Sequence, residues 1–159
     1  MSIFQIYCDT SVISAYFDVY KPVRQLITQK WFQHNAHEFS LFASTLVIEE
    51  IQNNTDQNLL RNMLTLLNTY SVSILALNDA ITHLAEAYRT EILAKEINDS
   101  LHLATASYYA LDAIVSWNFR HIVNLKTMKA IHQINREQQY QAIEILTLEQ
   151  LGGDQYGSL

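Results

Sequence analysis

Four short segments of the chain carry side chains that could hold a cation and act on a phosphate. Asp9 ends an apolar run in YCDTS, with the hydroxyls of Thr10 and Ser11 beside it. Glu50 lies in STLVIEEIQ, Asp99 in NDSLHLATA, and Ser116 and Asn118 flank Trp117 in DAIVSWNFRHI. Carboxylates crowded into one pocket repel by about 4 kcal/mol per pair at a separation of ~4 Å and an effective dielectric of ~20, so they persist ionised chiefly around a cation. Mg²⁺ or Mn²⁺ prefers carboxylate and water oxygens, neutralises a phosphate, orients an attacking water and stabilises the leaving oxygen. Such a cluster therefore points to phosphodiester cleavage, with Asp9, Glu50 and Asp99 as metal ligands.

Each residue also has an ordinary role open to it. Asp9 could cap the helix beginning near Ser11, and Asp99 sits where the helix dipole favours an acid. Glu49 and Glu50 point about 100° apart on a helix, so at most one of them faces a shared pocket. Glu50 follows Leu46 by four residues and Val47 by three, on the side that must face inward, and is the one favoured. His102 reads as a satisfied packing histidine, because no second His or Cys stands at metal-ligand spacing. Asp112 reads as a turn residue and Cys8 as core packing.

The elements that must position these residues can be read from periodicity. Short apolar runs rich in β-branched and aromatic residues predict strands at Ile3 to Cys8, Phe39 to Ala43, Val72 to Leu77, Ala113 to Trp117 and Ile143 to Leu146. Helical spacing predicts helices over Ser11 to Phe17, Val23 to Asn35, Leu46 to Gln52, Gln57 to Thr69, Ala80 to Lys95, Ser100 to Ala110 and Thr127 to Gln139. Asp56, Asn78 and Asn98 stand as N-caps. Strands alternating with helices imply an α/β three-layer sandwich, with a central, mostly parallel, five-stranded sheet. In such sheets sites form at the carboxyl ends of the strands, where Asp9, Glu50 and Asn118 would gather.

Composition sets the outer bounds. With 159 residues, 49% of them apolar, the chain is the size of one domain, read here as 1–150 with 151–159 as a tail expected to be flexible. One cysteine cannot form an internal disulfide, and neither a signal peptide nor a membrane-spanning run is visible, so a cytoplasmic protein is expected. The net charge of −6 has the wrong sign for holding nucleic acid by bulk electrostatics. A nucleic-acid substrate would need cations in the acidic pocket, or help from the basic stretch Arg120, His121, Lys126 and Lys129, which is equally readable as a solvated helix face.

YCDTSVISAYFD, STLVIEEI and NDSLHLATASYYALDAIVSWNFRHIVN together resemble the PIN-domain family, and in particular VapC-like toxins of bacterial toxin–antitoxin pairs. The last segment is the most specific, and the likeness spans residues 3 to 150, leaving GGDQYGSL without a counterpart. It implies a PIN-like fold with the family's acids at Asp9, Glu50 and Asp99, its fourth position at Asn118, and a nearby Ser or Thr at Ser116. Asn118 departs from the acid common there: its amide would contribute a neutral carbonyl oxygen, or position a water or a neighbouring group, and about three negative charges favour one Mg²⁺ over two. The resemblance further implies endonucleolytic cleavage of RNA, inhibition by a small antitoxin, and homodimers; for such a substrate Arg120 and Lys126 of the basic stretch are the candidate RNA contacts.

The leading reading is thus a Mg²⁺- or Mn²⁺-dependent endoribonuclease, the toxin of a toxin–antitoxin pair. A binding module of the same fold, docking a basic peptide in the acidic groove, is the alternative. Phosphotransfer on an aspartate ranks lowest, since Thr10 and Ser11 follow Asp9 where a D-x-D pattern would be needed.

Overall fold

The computed structural model describes residues 3–152. The strands are β1 (Gln5–Cys8), β2 (Ser40–Ser44), β3 (Ser73–Leu75), β4 (Ala113–Val115) and β5 (Glu144–Leu146). The helices are α1 (Thr10–Ala15), α2 (Pro22–His34), α3 (Thr45–Gln52), α4 (Gln57–Thr69), α5 (Asp79–Glu91), α6 (Ile97–Tyr108), α7 (Leu125–Glu137) and α8 (Leu148–Leu151). A 3₁₀ turn at Ala36–Glu38 leads into β2.

All strand pairings are parallel, in the order β3-β2-β1-β4-β5, so the sheet expected to be mostly parallel is wholly so. β1 runs against both β2 and β4, with Ile6 opposite Leu41 and Ala113. From β1 the chain steps outward to β2 and β3, then returns to place β4 and β5 on the other side. The direction of winding reverses between β1 and β4, and at such a switch point helices diverge and leave a crevice over the strand ends. Asp9 and Ser116 immediately follow those two strands.

Burial explains why short strands suffice here. β4 is buried at every residue, as are Ile6, Tyr7 and Cys8, because helices cover both faces of the sheet. Trp31, Phe32, Tyr88 and Leu103 supply the bulk of the helical layers. Cys8 lies wholly inside, as read from its apolar surroundings.

Several boundaries differ from expectation. α4 has the expected limits, with Asp56 accepting from the amides of Asn58 and Leu59, and Asn78 caps α5 through the amide of Ile81. Asn98 is not a cap: α6 begins at Ile97, after Glu96, so Asn98 lies inside its first turn. The expectation followed the propensity of Asn for caps, but the turn Leu93–Glu96 closes earlier and starts the helix sooner. α5 stops at Glu91 rather than Lys95 for the same reason. A short helix not foreseen, α8, closes with Leu151, so the boundary drawn at 150 falls within it; residues 153–159 of the expected tail lie outside the described residues.

With few glycines available, helix ends use other residues in left-handed geometry. Ser71, Ala110 and Gln139 have φ of 53°, 53° and 63° just after α4, α6 and α7. The amide of the next residue then reaches back five positions, as from Leu111 to the carbonyl of Ala106.

Candidate active site

Asp9 accounts for the start of α1 and for the floor of the crevice. It is 4% exposed, and both of its oxygens are held. Oδ1 accepts from Ser11 Oγ at 2.5 Å and from the Val12 amide at 3.4 Å, which is the helix cap; Oδ2 accepts from Ser116 Oγ at 2.7 Å. The capping role and the pocket role therefore fall to the same carboxylate. Two backbone amides fix the hydroxyls in turn: Trp117 N–H donates to Ser11 Oγ and Asn118 N–H to Ser116 Oγ, each at 2.9 Å.

Asn118 carries the line on to α6. Its Nδ2 donates to Asp99 Oδ2 at 3.1 Å, and its Oδ1 accepts from the His121 amide at 2.9 Å. The carbonyl oxygen expected to face a cation is thus turned onto the backbone. The amide nitrogen, not the oxygen, is the end that meets Asp99.

Glu50 reaches the crevice from α3, half-buried, while Glu49 is exposed, as helical geometry requires. Its Oε1 accepts from Thr10 Oγ1 at 2.9 Å and meets His102 Nε2 at 2.6 Å, so the hydroxyl of Thr10 supports Glu50 rather than Asp9. His102 is buried and satisfied, as expected of a core histidine, but its partner is a candidate ligand.

Asp9, Glu50, Asp99, Asn118, Thr10 and Ser116 thus lie at one edge of the sheet, joined mostly by direct hydrogen bonds. The tightest ligand-spaced group among the described residues is a different one. Glu96, Asp99 and His121 each offer a ligand atom within 4.8 Å of the others, and His121 Nε2 lies 3.4 Å from Glu96 Oε1. Sequence reasoning passed over Glu96 and placed His121 with the basic stretch. The signal available was proximity in sequence alone: Glu96 is the residue before α6, three ahead of Asp99, and His121 follows Asn118 by three in the turn after β4. Arg120 and Lys126 are exposed and line a shallow cleft beside this group, with Phe119 and Asn124.

The electrostatics mark the site as one short of positive charge. Burial pushes the Asp9 carboxyl above the usual carboxylate range, against the pull of His102 and of its hydrogen bonds. Burial also raises Asp99, and the nearby charge of Asp9 adds to the effect. For Glu50 burial opposes ionisation, but His102, Thr10 and Asn98 outweigh it and bring the carboxyl below its ordinary value. Hard oxygen donors with raised carboxyl pKa values suit a divalent cation, which would favour the ionised forms that burial disfavours.

A family model described as the PIN domain matches residues 6–124. No curated protein matches the chain. Among solved structures, the fold is similar to a chain in the crystal structure of VapBC2 from Rickettsia felis bound to a DNA fragment from their promoter, with a TM-score of 0.52 and 11% identity over 91% of this chain and 98% of that one.

Proposed function

The chain belongs to the PIN domain family, and from that premise we propose that it is a Mg²⁺- or Mn²⁺-dependent endoribonuclease, the toxin of a toxin–antitoxin pair. The observation that carries the reading is the line of contacts from Asp9 through Ser116 and Asn118 to Asp99, which brings acids distant in sequence to one crevice. PIN domains are generally metal-dependent nucleases, and the donors present fit such a metal. Asp9, Glu50 and Asp99 would hold the cation. When bound, it supplies charge neutralisation at the phosphate and acidifies a water for attack.

The chain's own residues do the rest. Ser11, Ser116 and the Val12 amide hold Asp9 in one orientation, and Asn118 does the same for Asp99. Arg120 and Lys126, beside the crevice, would receive backbone phosphates of RNA and offset the net charge of −6. The toxin assignment draws on the three family-like segments and on the fold shared with a chain of VapBC2. It brings a small antitoxin, a homodimer and a cytoplasmic setting with it; among the described residues no helix is long and apolar enough to cross a membrane.

The experiment is cleavage of single-stranded RNA with Mg²⁺ or Mn²⁺, halted by chelator. Asp9→Asn, which keeps a capping oxygen for α1, should remain folded and lose more than about 100-fold in rate, since losing a ligand exceeds the ~10–100-fold that a supporting partner costs. Full activity in that variant would sink the ligand assignment. An anomalous map from a manganese-soaked crystal locates the ion independently: density held by Glu96 and His121 without Asp9 would do the same.

A docking module for a basic peptide is the second reading, favoured by the amide at Asn118 where an acid is common. It is the reading left if RNA survives Mn²⁺ while a basic peptide binds the crevice.

A further inference from the structure

We infer that His102 is a positioning residue for Glu50: braced by Tyr7 at Nδ1, it presents Nε2–H to Glu50 Oε1 and leaves Oε2 as the oxygen for the cation. The inference rests on the metal site proposed above and assigns a role to a residue that touches neither metal nor substrate.

His102 is 2% exposed and follows Asp99 by one turn of α6. Its two ring nitrogens are both engaged, Nε2 at 2.6 Å from Glu50 Oε1 and Nδ1 at 2.6 Å from Tyr7 Oη; Tyr7 Oη in turn lies 2.8 Å from Ser44 Oγ. An ionised carboxylate offers only lone pairs, so the hydrogen between His102 and Glu50 belongs to Nε2. Tyr7 is wholly buried and its hydroxyl stays protonated, so it can donate to a bare Nδ1 while accepting from Ser44, or accept from Nδ1–H of a cationic ring while donating to Ser44. In both arrangements of this hydrogen-bonded chain Nε2–H is the donor to Glu50.

This chain links β2, β1, α6 and α3, and α1 joins through Thr10, whose Oγ1 lies 2.9 Å from the same Oε1. Both lone pairs of Oε1 are therefore taken. Turning the carboxylate to engage a cation through both oxygens would break two hydrogen bonds, one of them to a buried group. Any buried histidine must satisfy both ring nitrogens; what sets this one apart is that its Nε2 partner is a proposed metal ligand.

The test is Mn²⁺ affinity of the full chain, read by electron paramagnetic resonance, in wild type and in His102→Gln, His102→Asn, His102→Leu and Tyr7→Phe. Gln places its amide nitrogen near the position of Nε2 and should bind Mn²⁺ within a few-fold of wild type; Asn reaches only the Tyr7 side, and Asn and Leu should each lose at least about 10-fold. Tyr7→Phe should fall between. In the metal-free wild type, nitrogen-15 spectra should show His102 protonated at Nε2. If Leu fails to fold, the Gln and Asn pair decides. Equal affinity for that pair, or a ring with a bare Nε2, overturns the positioning role alone. A wild type that binds no Mn²⁺ overturns the metal site, and this role with it.

Discussion

Asn118 meets Asp99 as a hydrogen-bond donor, Nδ2 to Oδ2 at 3.1 Å, and the orientation is dictated from behind. The His121 amide can only donate, and it points at the other end of the Asn118 side chain from 2.9 Å, so that end must be the oxygen. Asn118 therefore offers Asp99 a hydrogen-bond donor and brings no charge of its own.

Replacing Asn118 by Asp reverses that effect. One carboxylate oxygen would keep the His121 amide, and the other would face Asp99 at close range. Asn118→Asp should bind Mg²⁺ about tenfold or more tightly, because a fourth charge joins the pocket, and its metal-free form should melt at a lower temperature than wild type at neutral pH. Calorimetric titration and thermal melts check the two halves, and weaker Mg²⁺ binding would contradict this account of the residue.

The raised carboxyl groups give the metal-free protein a pH dependence of definite sign. Asp9 and Asp99 hold their protons to higher pH when folded than when unfolded, so the folded state binds more protons in the window above the ordinary carboxyl range of about pH 4, and stability falls as pH rises through it. Glu50 acts oppositely: its depressed value contributes stability above the ordinary range, lost as pH falls through its folded value. Saturating Mg²⁺ should remove the decline on the alkaline side. Melting temperature against pH, with and without Mg²⁺, measures this, and a metal-free protein that grew steadily more stable from pH 5 to pH 8 would refute it.

Arg120 and Lys126 should act through charge alone. Arg120→Ala and Lys126→Ala, placed in the Asp9→Asn background to prevent cleavage, should each weaken single-stranded RNA binding and lower the slope of log affinity against log salt by about 0.7. Anisotropy titrations across salt concentrations report both quantities. An unchanged slope would leave Arg120, in the turn before α7, and Lys126, in its first turn, as solvated surface charges.

Away from the crevice, Ala110 holds a φ of 53° at the end of α6, a conformation that costs a residue with a Cβ about 1 kcal/mol. Ala110→Gly should relieve this and raise the denaturation midpoint by an amount worth somewhat under ~1 kcal/mol, because glycine also loosens the unfolded chain. Its RNA cleavage should match wild type.

Much of this was legible in residue order. A strand buried on both faces reads as an unbroken apolar run, so β1 and β4 stood out, and the alternation of runs and helical stretches led to the parallel sheet. The Asp9 carboxylate could be placed at a strand end, and Glu50 separated from Glu49, by period alone. Helix ends were less legible, as Asn98 shows, because a turn closed by Leu93 and Glu96 overrode the propensity of a single residue for capping.

The amino-acid sequence by itself pointed to Asp9, Glu50 and Asp99 near the carboxyl edge of the sheet, since periodicity is a local property of the chain, but not to Glu96. Only the tertiary structure decided how each side chain is used there. Packing of α6 against the sheet turned His102 from filler into a partner of Glu50, and the turn after β4 pointed the His121 amide at Asn118 and so fixed which end of it Asp99 meets. Hydrogen-bond direction depends on neighbours brought together from distant segments, and no spacing along the chain encodes it.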